Sequence, residues 1–316
     1  MKIFTLRPNE NWICDTIANE FDQFIGQVST RNAYESDVVW LLADFCWNQI
    51  PYEMLKKKKV VVTCHHYVPS KFDVNVQRDF KRRDEIVDLY HVPNERTKEF
   101  IQQYTKKPII MIPYWINLDF WKLPKNVHED NLRSIVRNKL NLPHDKFLIA
   151  SFQRDTEGSG ISQGIYLPKI EKGPDTFCDL VEYDHQTSEN VEVLLGGWRR
   201  QYVISRLEKM NIKYHYFELP TKETIRDMYI VSSLYVVGSR YEGGPQAILE
   251  AAALKTPIIS TPVGLAEQVL HPSSINRDLT QCIVNNEMIE YAYNNIVENF
   301  DIKKVIPQYL KMFEEI

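Results

Sequence analysis

Short apolar runs punctuate the chain, with helical or polar stretches between them. Over the first 120 residues the runs are 1–6, 38–42 (V-V-W-L-L), 60–63 (V-V-V-T), 89–92 (L-Y-H-V) and 109–112 (I-I-M-I). They resume at 147–152, 191–195, 214–217, 234–237 and 257–260. Runs this short, rich in β-branched and aromatic residues, read as strands buried on both faces. The connections between them are too long for hairpins. They imply crossovers, and hence α/β architecture with doubly wound parallel sheets. Helices are expected at 131–140, on the stretch through Arg206, after a Thr221 cap as far as Ile230, at 245–254, up to Leu270, and at about 304–315. In such sheets ligands bind at the carboxyl ends of the strands.

Length and composition change this picture little. The 316 residues suffice for two α/β domains with full cores. A formal net charge of -4 gives no general drive toward nucleic acid, so no such partner is expected. The five cysteines (Cys14, Cys46, Cys64, Cys178, Cys282) form no C-x-x-C pair, which argues against a zinc site or disulfide framework and fits a reducing, cytoplasmic setting. Residues 1–6 read as a strand rather than a signal peptide, and no apolar run is long enough to span a bilayer. The basic run 56–59 and the cluster Arg78, Lys81, Arg82 and Arg83 read first as solvated surface. The sharper alternative is peripheral contact with the inner face of an anionic membrane carrying a lipid-linked acceptor.

The stretch 238–254 carries the candidate chemistry. It joins two buried strands through a glycine-rich turn and a helix. Gly243 and Gly244 permit positive φ and close approach of a ligand. Pro245 suits the first helical position. The amides of the first turn, at the positive end of the helix dipole, suit a phosphate. Glu250 lies one turn beyond Gln246, and it is the only charge between 245 and 254. Ribose hydroxyls are good donors to such a carboxylate, and Glu242 can reach a second group on the same ligand. The bland alternative is an ordinary loop and a solvated glutamate. It requires more polar residues at helical spacing than this helix has.

In context, S-R-Y-E-G-G-P-Q-A-I-L-E-A, with seven residues between Glu242 and Glu250, resembles the E-x7-E signature of retaining GT-B glycosyltransferases (group 1, family 4-like). The likeness continues through I-I-S-T-P-V-G-L-A-E-Q-V; it is close over the C-terminal half and loose over the N-terminal half. The resemblance implies a GT-B fold, two Rossmann-like domains facing a cleft. Residues 1–124 would form the acceptor-side domain, with a C-terminal helix at about 300–316 crossing back to it. Residues 125–299 would bind the nucleotide sugar, and the linker is expected at about 122–129. It further implies a metal-independent enzyme without a cofactor, whose donor is a nucleoside diphosphate sugar. The acceptor would be a hydroxyl of a glycan, a lipid-linked or another molecule, attacked from the front face with retained configuration. The absence of a D-x-D triplet at a strand end agrees with metal independence.

The resemblance also assigns residues. Glu242 would bind the donor sugar and Glu250 the ribose, while Gly243, Gly244, Pro245 and Gln246 line the sugar and phosphate region. Arg154 and Lys172 would clamp the diphosphate, since two fixed cations stabilise leaving-group charge as the glycosidic bond breaks. Lys169 is the rival for the lysine, because 155–170 is longer than the usual spacer; that insertion reads as a flap or part of an acceptor site. For Arg154 the plain alternative is a surface salt bridge. His65, past the strand 60–63, would line the donor-sugar side, with His66 as its rival and an ordinary loop histidine as the alternative. Backbone groups near Glu218 and Leu219 would read the base. The segment R-P-N-E-N-W after the first strand lacks the family's glycines; there Trp12 and Asp15 read equally as acceptor-site residues or as core and cap. Two rivals share the donor site: a GT-B epimerase or hydrolase, and a non-catalytic nucleotide-sugar-binding subunit.

Overall fold

Every apolar run forms a strand, and all strand pairs among the described residues are parallel. The computed structural model describes residues 1–9, 13–124 and 129–316. Trp12 and part of the expected linker, 125–128, lie outside them. The chain divides into two units: Met1–Trp115 with Ile302–Ile316, and Ile116–Asp301.

The first unit holds β1 (Ile3–Leu6), β2 (Ser29–Thr30), β3 (Val38–Leu41), β4 (Lys59–Thr63), β5 (Leu89–Val92) and β6 (Ile109–Met111), ordered β2-β1-β3-β4-β5-β6. Strand β2 is two partly buried residues without an apolar run, and only its backbone pairing with Ile3 and Phe4 defines it. Burial on both faces explains the unbroken apolar runs of β3 and β5. A polar chain crosses this core. Trp40 Nε1 donates to Thr63 Oγ1 (2.8 Å), Thr63 Oγ1 lies 3.0 Å from His91 Nδ1, and His91 Nε2 lies 2.8 Å from the carbonyl of Ile112. The bond to the Ile112 carbonyl places a proton on Nε2, and with a neutral ring the Thr63 hydroxyl donates to Nδ1. Burial pushes its pKa down to about 3. The C-terminal helix Ile302–Glu314 belongs to this unit. It packs Tyr309 and Phe313 on Trp40 (ring centroids 5.5 and 5.4 Å), and Tyr309 on Trp115 at 5.3 Å.

Arg83 does not share the exposure of its basic neighbours. It is 2% exposed, bonded to Tyr67 Oη at 2.8 Å and paired with Asp44 at 3.2 Å. Arg78, Lys81 and Arg82 are exposed.

The second unit holds β7 (Phe147–Ser151), β8 (Val191–Gly196), β9 (Tyr214–Phe217), β10 (Leu234–Val237) and β11 (Ile258–Ser260), ordered β11-β10-β7-β8-β9. The strand order reverses between β7 and β10. The insertion after β7 is a closed excursion. Lys169 N donates to the carbonyl of Asp155 (2.7 Å) and Glu157 N to that of Leu167 (2.9 Å). Its neck is fastened underneath: Arg200, 1% exposed by side chain, donates Nε to Asp155 (2.5 Å) and Nη1 to the carbonyls of Ser151 and Gly196. Ile165, Tyr166 and Leu167 on the excursion are exposed.

Candidate active site

Loops at the carboxyl ends of neighbouring strands diverge where strand order reverses, and a ligand fits the gap. In the second unit those loops follow β7 and β10, and a third segment joins them: the short turn Ile170–Lys172 with Gly173, before the helix Pro174–Thr187. Backbone amides of Arg240 and Tyr241 donate to the carbonyl of Glu171 (2.8 and 3.1 Å). Arg240 makes a two-pronged pair with Asp175 (2.7 and 2.6 Å), whose carboxyl is held below its usual range by that guanidinium against the opposing effect of burial. Gly173 makes the approach possible. It sits at φ +57°, and a Cβ there would fall 1.8 Å from the carbonyl oxygen of Gly238.

This fastening brings two of the expected residues into contact. Lys172 Nζ lies 2.6 Å from Glu242 Oε1, with the two side chains 21% and 10% exposed. Ser239 Oγ reaches the same oxygen at 3.2 Å and Gln153 Oε1 at 3.1 Å, and Gln153 Nε2 donates to the carbonyl of Lys172 at 2.7 Å. The rival Lys169 pairs with Glu171 at 3.0 Å. Arg154, half-buried, follows Gln153 on the loop after β7.

Beyond the turn, the helix is Gln246–Ala253, and Pro245 stands at its N-cap (φ -60°, ψ 109°) rather than at the expected first helical position. The positive-φ glycines of this region are Gly173 and Gly264, both +57°, rather than the pair Gly243 and Gly244. A Cβ on Gly264 would come within 2.5 Å of Pro245 Cδ, so the loop after β11 buttresses the turn. Glu250 is half-buried, and its Oε2 accepts from the phenol of Tyr229 at 3.0 Å. Burial, then Tyr235 and Glu250, push that phenol well above its usual pKa, so it stays a donor. The rings of Phe152 and Tyr235 pack on Tyr229 at 4.8 and 5.0 Å.

The other expected residues lie elsewhere. Glu218 and Leu219 are exposed on the loop after the edge strand β9. Leu219 is 72% exposed at φ +47°, a conformation unfavourable for leucine. Burial and then Glu218 push the neighbouring Tyr216 up to about 12. His65 belongs to the first unit, at the carboxyl end of β4. Its Nδ1 bonds the phenol of Tyr114 and its Nε2 lies 3.5 Å from Cys14 Sγ. Burial holds its pKa down at about 4, so the ring is neutral at neutral pH. Its rival His66 is half-buried beside it. Asp15 is buried and accepts from the amide of Asn9 at 3.0 Å.

Gln153, Ser239 and Tyr229 were not singled out from sequence. Ser239 and Gln153 had a signal, since each directly adjoins an expected residue or lies within the quoted motif. Tyr229 had none: it arrives from the helix Lys222–Val231 through tertiary packing. Among the described residues no three His, Cys, Asp or Glu side chains gather as a cation site, and no helix is long and apolar enough to cross a membrane.

The family model for glycosyl transferases group 1 matches residues 136–299, just over half of the chain. No curated protein matches it by sequence. Solved structures match it in fold. HepE from Anabaena, in complex with UDP and glucose, is 12% identical over the whole of both chains, with a TM-score of 0.76. Sucrose-phosphate synthase from Thermosynechococcus elongatus is 15% identical over 98% of this chain and 80% of its own, at 0.68. A glycosyltransferase from Rickettsia africae ESF-5 is 15% identical over 98% and 83%, at 0.64. With two parallel-sheet units, the switch-point turn and the family model in agreement, this chain belongs to the group 1 glycosyltransferases, built on the GT-B fold.

Proposed function

We propose that the enzyme transfers a sugar from a nucleoside diphosphate donor to a hydroxyl acceptor with retained anomeric configuration, by front-face attack. The observation that carries this reading is the Lys172–Glu242 pair at 2.6 Å beside the switch point of the second unit. It sets a cation for phosphate next to a carboxylate for sugar hydroxyls. Lys172 and Arg154 take the diphosphate and stabilise its growing charge as the glycosidic bond breaks. Glu242 orients the sugar, and Glu250, steadied by Tyr229, binds the ribose. Gly243, Gly244, Pro245 and Gln246 line the sugar and phosphate region. The left-handed Leu219 supports a ligand role for its loop, since backbone strain of this kind gathers at binding sites; there Leu219 and Glu218 meet the base. The leaving phosphate helps deprotonate the acceptor.

The first unit is the acceptor side, and His65 serves it as a neutral imidazole. Glycan and lipid-linked acceptors both suit it. The exposed Lys56, Lys57 and Lys59 with Arg78, Lys81 and Arg82 would place the unit against an anionic membrane surface. UDP-glucose is the first donor to try, because HepE has been crystallised with it.

The test is nucleotide release from UDP-glucose, GDP-glucose and ADP-glucose, each with free glycan and polyprenyl-diphosphate-linked saccharide acceptors, followed by NMR of the anomeric proton in the product. Acceptor-dependent release with an α-linked product, lost in Lys172→Ala, supports the proposal. Release to water alone identifies a hydrolase, and an inverted product overturns the front-face mechanism.

A further inference from the structure

Glu242 and Lys172 have separate tasks in the reading above, one on the sugar and one on the diphosphate, yet here they hold each other. Their contact, at 2.6 Å, uses a single carboxylate oxygen, Oε1, which lies 3.2 Å from Ser239 Oγ. Those bonds leave Oε2 and two of the three ammonium hydrogens for a ligand. Both side chains are largely withdrawn from water, where screening is weak. At that separation the carboxylate offsets a substantial part of the lysine's potential at the next atom out.

A nucleoside diphosphate without its sugar therefore meets a nearly neutral pair. It gains part of the Lys172 charge and offers nothing to Glu242 except repulsion. A nucleotide sugar brings hydroxyl donors to Oε2 along with its phosphate oxygens, and so uses both members. We infer that Glu242 is a specificity-determining residue that discriminates the intact donor from its own nucleoside diphosphate product, by holding down the product's affinity for Lys172. This rests on the donor-site reading above and adds a consequence to it: the same carboxylate that orients the sugar speeds product departure once the sugar has gone. Gln153 and Ser239 are positioning residues for the pair. They tie the carbonyl of Lys172 to the Glu242 turn through bonds of 2.7 and 3.1 Å.

The view that Glu242 is only a sugar contact makes the opposite prediction for a ligand without sugar. Equilibrium titration of UDP, GDP and ADP into wild type, Glu242→Gln, Lys172→Ala and the double variant separates the two. The same titration is then made with the glucose conjugate of the tightest diphosphate. Glu242→Gln should bind that diphosphate about tenfold more tightly than wild type, and its glucose conjugate no more tightly, so that discrimination falls. Lys172→Ala should bind both at least tenfold more weakly, and adding Glu242→Gln to it should restore nothing. Glu242→Asp, which keeps the charge but draws it back from Lys172, should fall between wild type and Glu242→Gln and guards against a folding artefact in either variant. Unchanged or weaker diphosphate binding in Glu242→Gln overturns the inference while leaving the donor site standing. A gain that persists without Lys172 also overturns it. No diphosphate binding by wild type overturns the donor-site reading and this inference together.

Discussion

Tyr229 meets the carboxylate of Glu250 with a phenol that burial keeps protonated. Removing that donor leaves a half-buried carboxylate with one bond fewer, while the packed rings of Phe152 and Tyr235 stay in place. Tyr229→Phe should therefore lower stability by about 1–3 kcal/mol, measured as the shift in urea unfolding. No change would remove the hydroxyl from the account. Protons on two histidines, His91 buried and His65 half-buried, set a second expectation. His65 and His91 have folded pKa values near 4 and 3, below their ordinary 6.5. The unfolded chain therefore binds more protons between those values, and stability present above about pH 6.5 is lost as pH falls toward 4. Unfolding midpoints at pH 7 and pH 5 should differ accordingly, and His91→Gln should flatten the slope. At this scale the sequence pointed to Glu242 and Lys172 through residue type and setting, and the structure brings these two into contact. The sequence was silent where two ordinary residues meet through the fold, as with Tyr229 and Glu250.

Strands buried on both faces leave their signature in the chain, which is why β3, β8 and β10 could be read directly from their apolar runs. Strand β2 has no such signature, being defined by backbone pairing alone. Turn geometry was legible only in part. Glycine and proline marked the turn 243–245, yet positive φ falls on Gly173 and Gly264, where another segment also presses on the Cα. Gly173→Ala accordingly tests the fastening of three segments. The alanine methyl cannot sit 1.8 Å from the Gly238 carbonyl, so the two chains must part and Lys172 must leave Glu242. We expect a destabilisation of roughly 1–3 kcal/mol or more, with nucleotide binding weakened alongside it. An alanine variant with normal unfolding and normal binding would show that the close approach is unnecessary.

For the whole molecule, the crossing back of the last helix is what the family resemblance implies, and the first unit groups Ile302–Ile316 with Met1–Trp115. Its aromatic residues are core: Tyr309 and Phe313 are buried against Trp40, Phe21 and Trp115. Cutting one such side chain to alanine typically costs about 3–5 kcal/mol. A chain ending at Asp301 should lose the cooperative unfolding transition of the first unit in calorimetry and keep that of the second. A single unaltered transition would contradict that division. The central claim concerns the second unit, and titration calorimetry of UDP, GDP and ADP, with their glucose conjugates, into wild type and Glu250→Ala tests it most directly. The account predicts that wild type binds one of these nucleotides and that Glu250→Ala binds it about 10- to 100-fold more weakly, the loss expected for a hydrogen bond to a charged group. Failure of wild type to bind any of them, or equal binding by the variant, would contradict the donor site placed here.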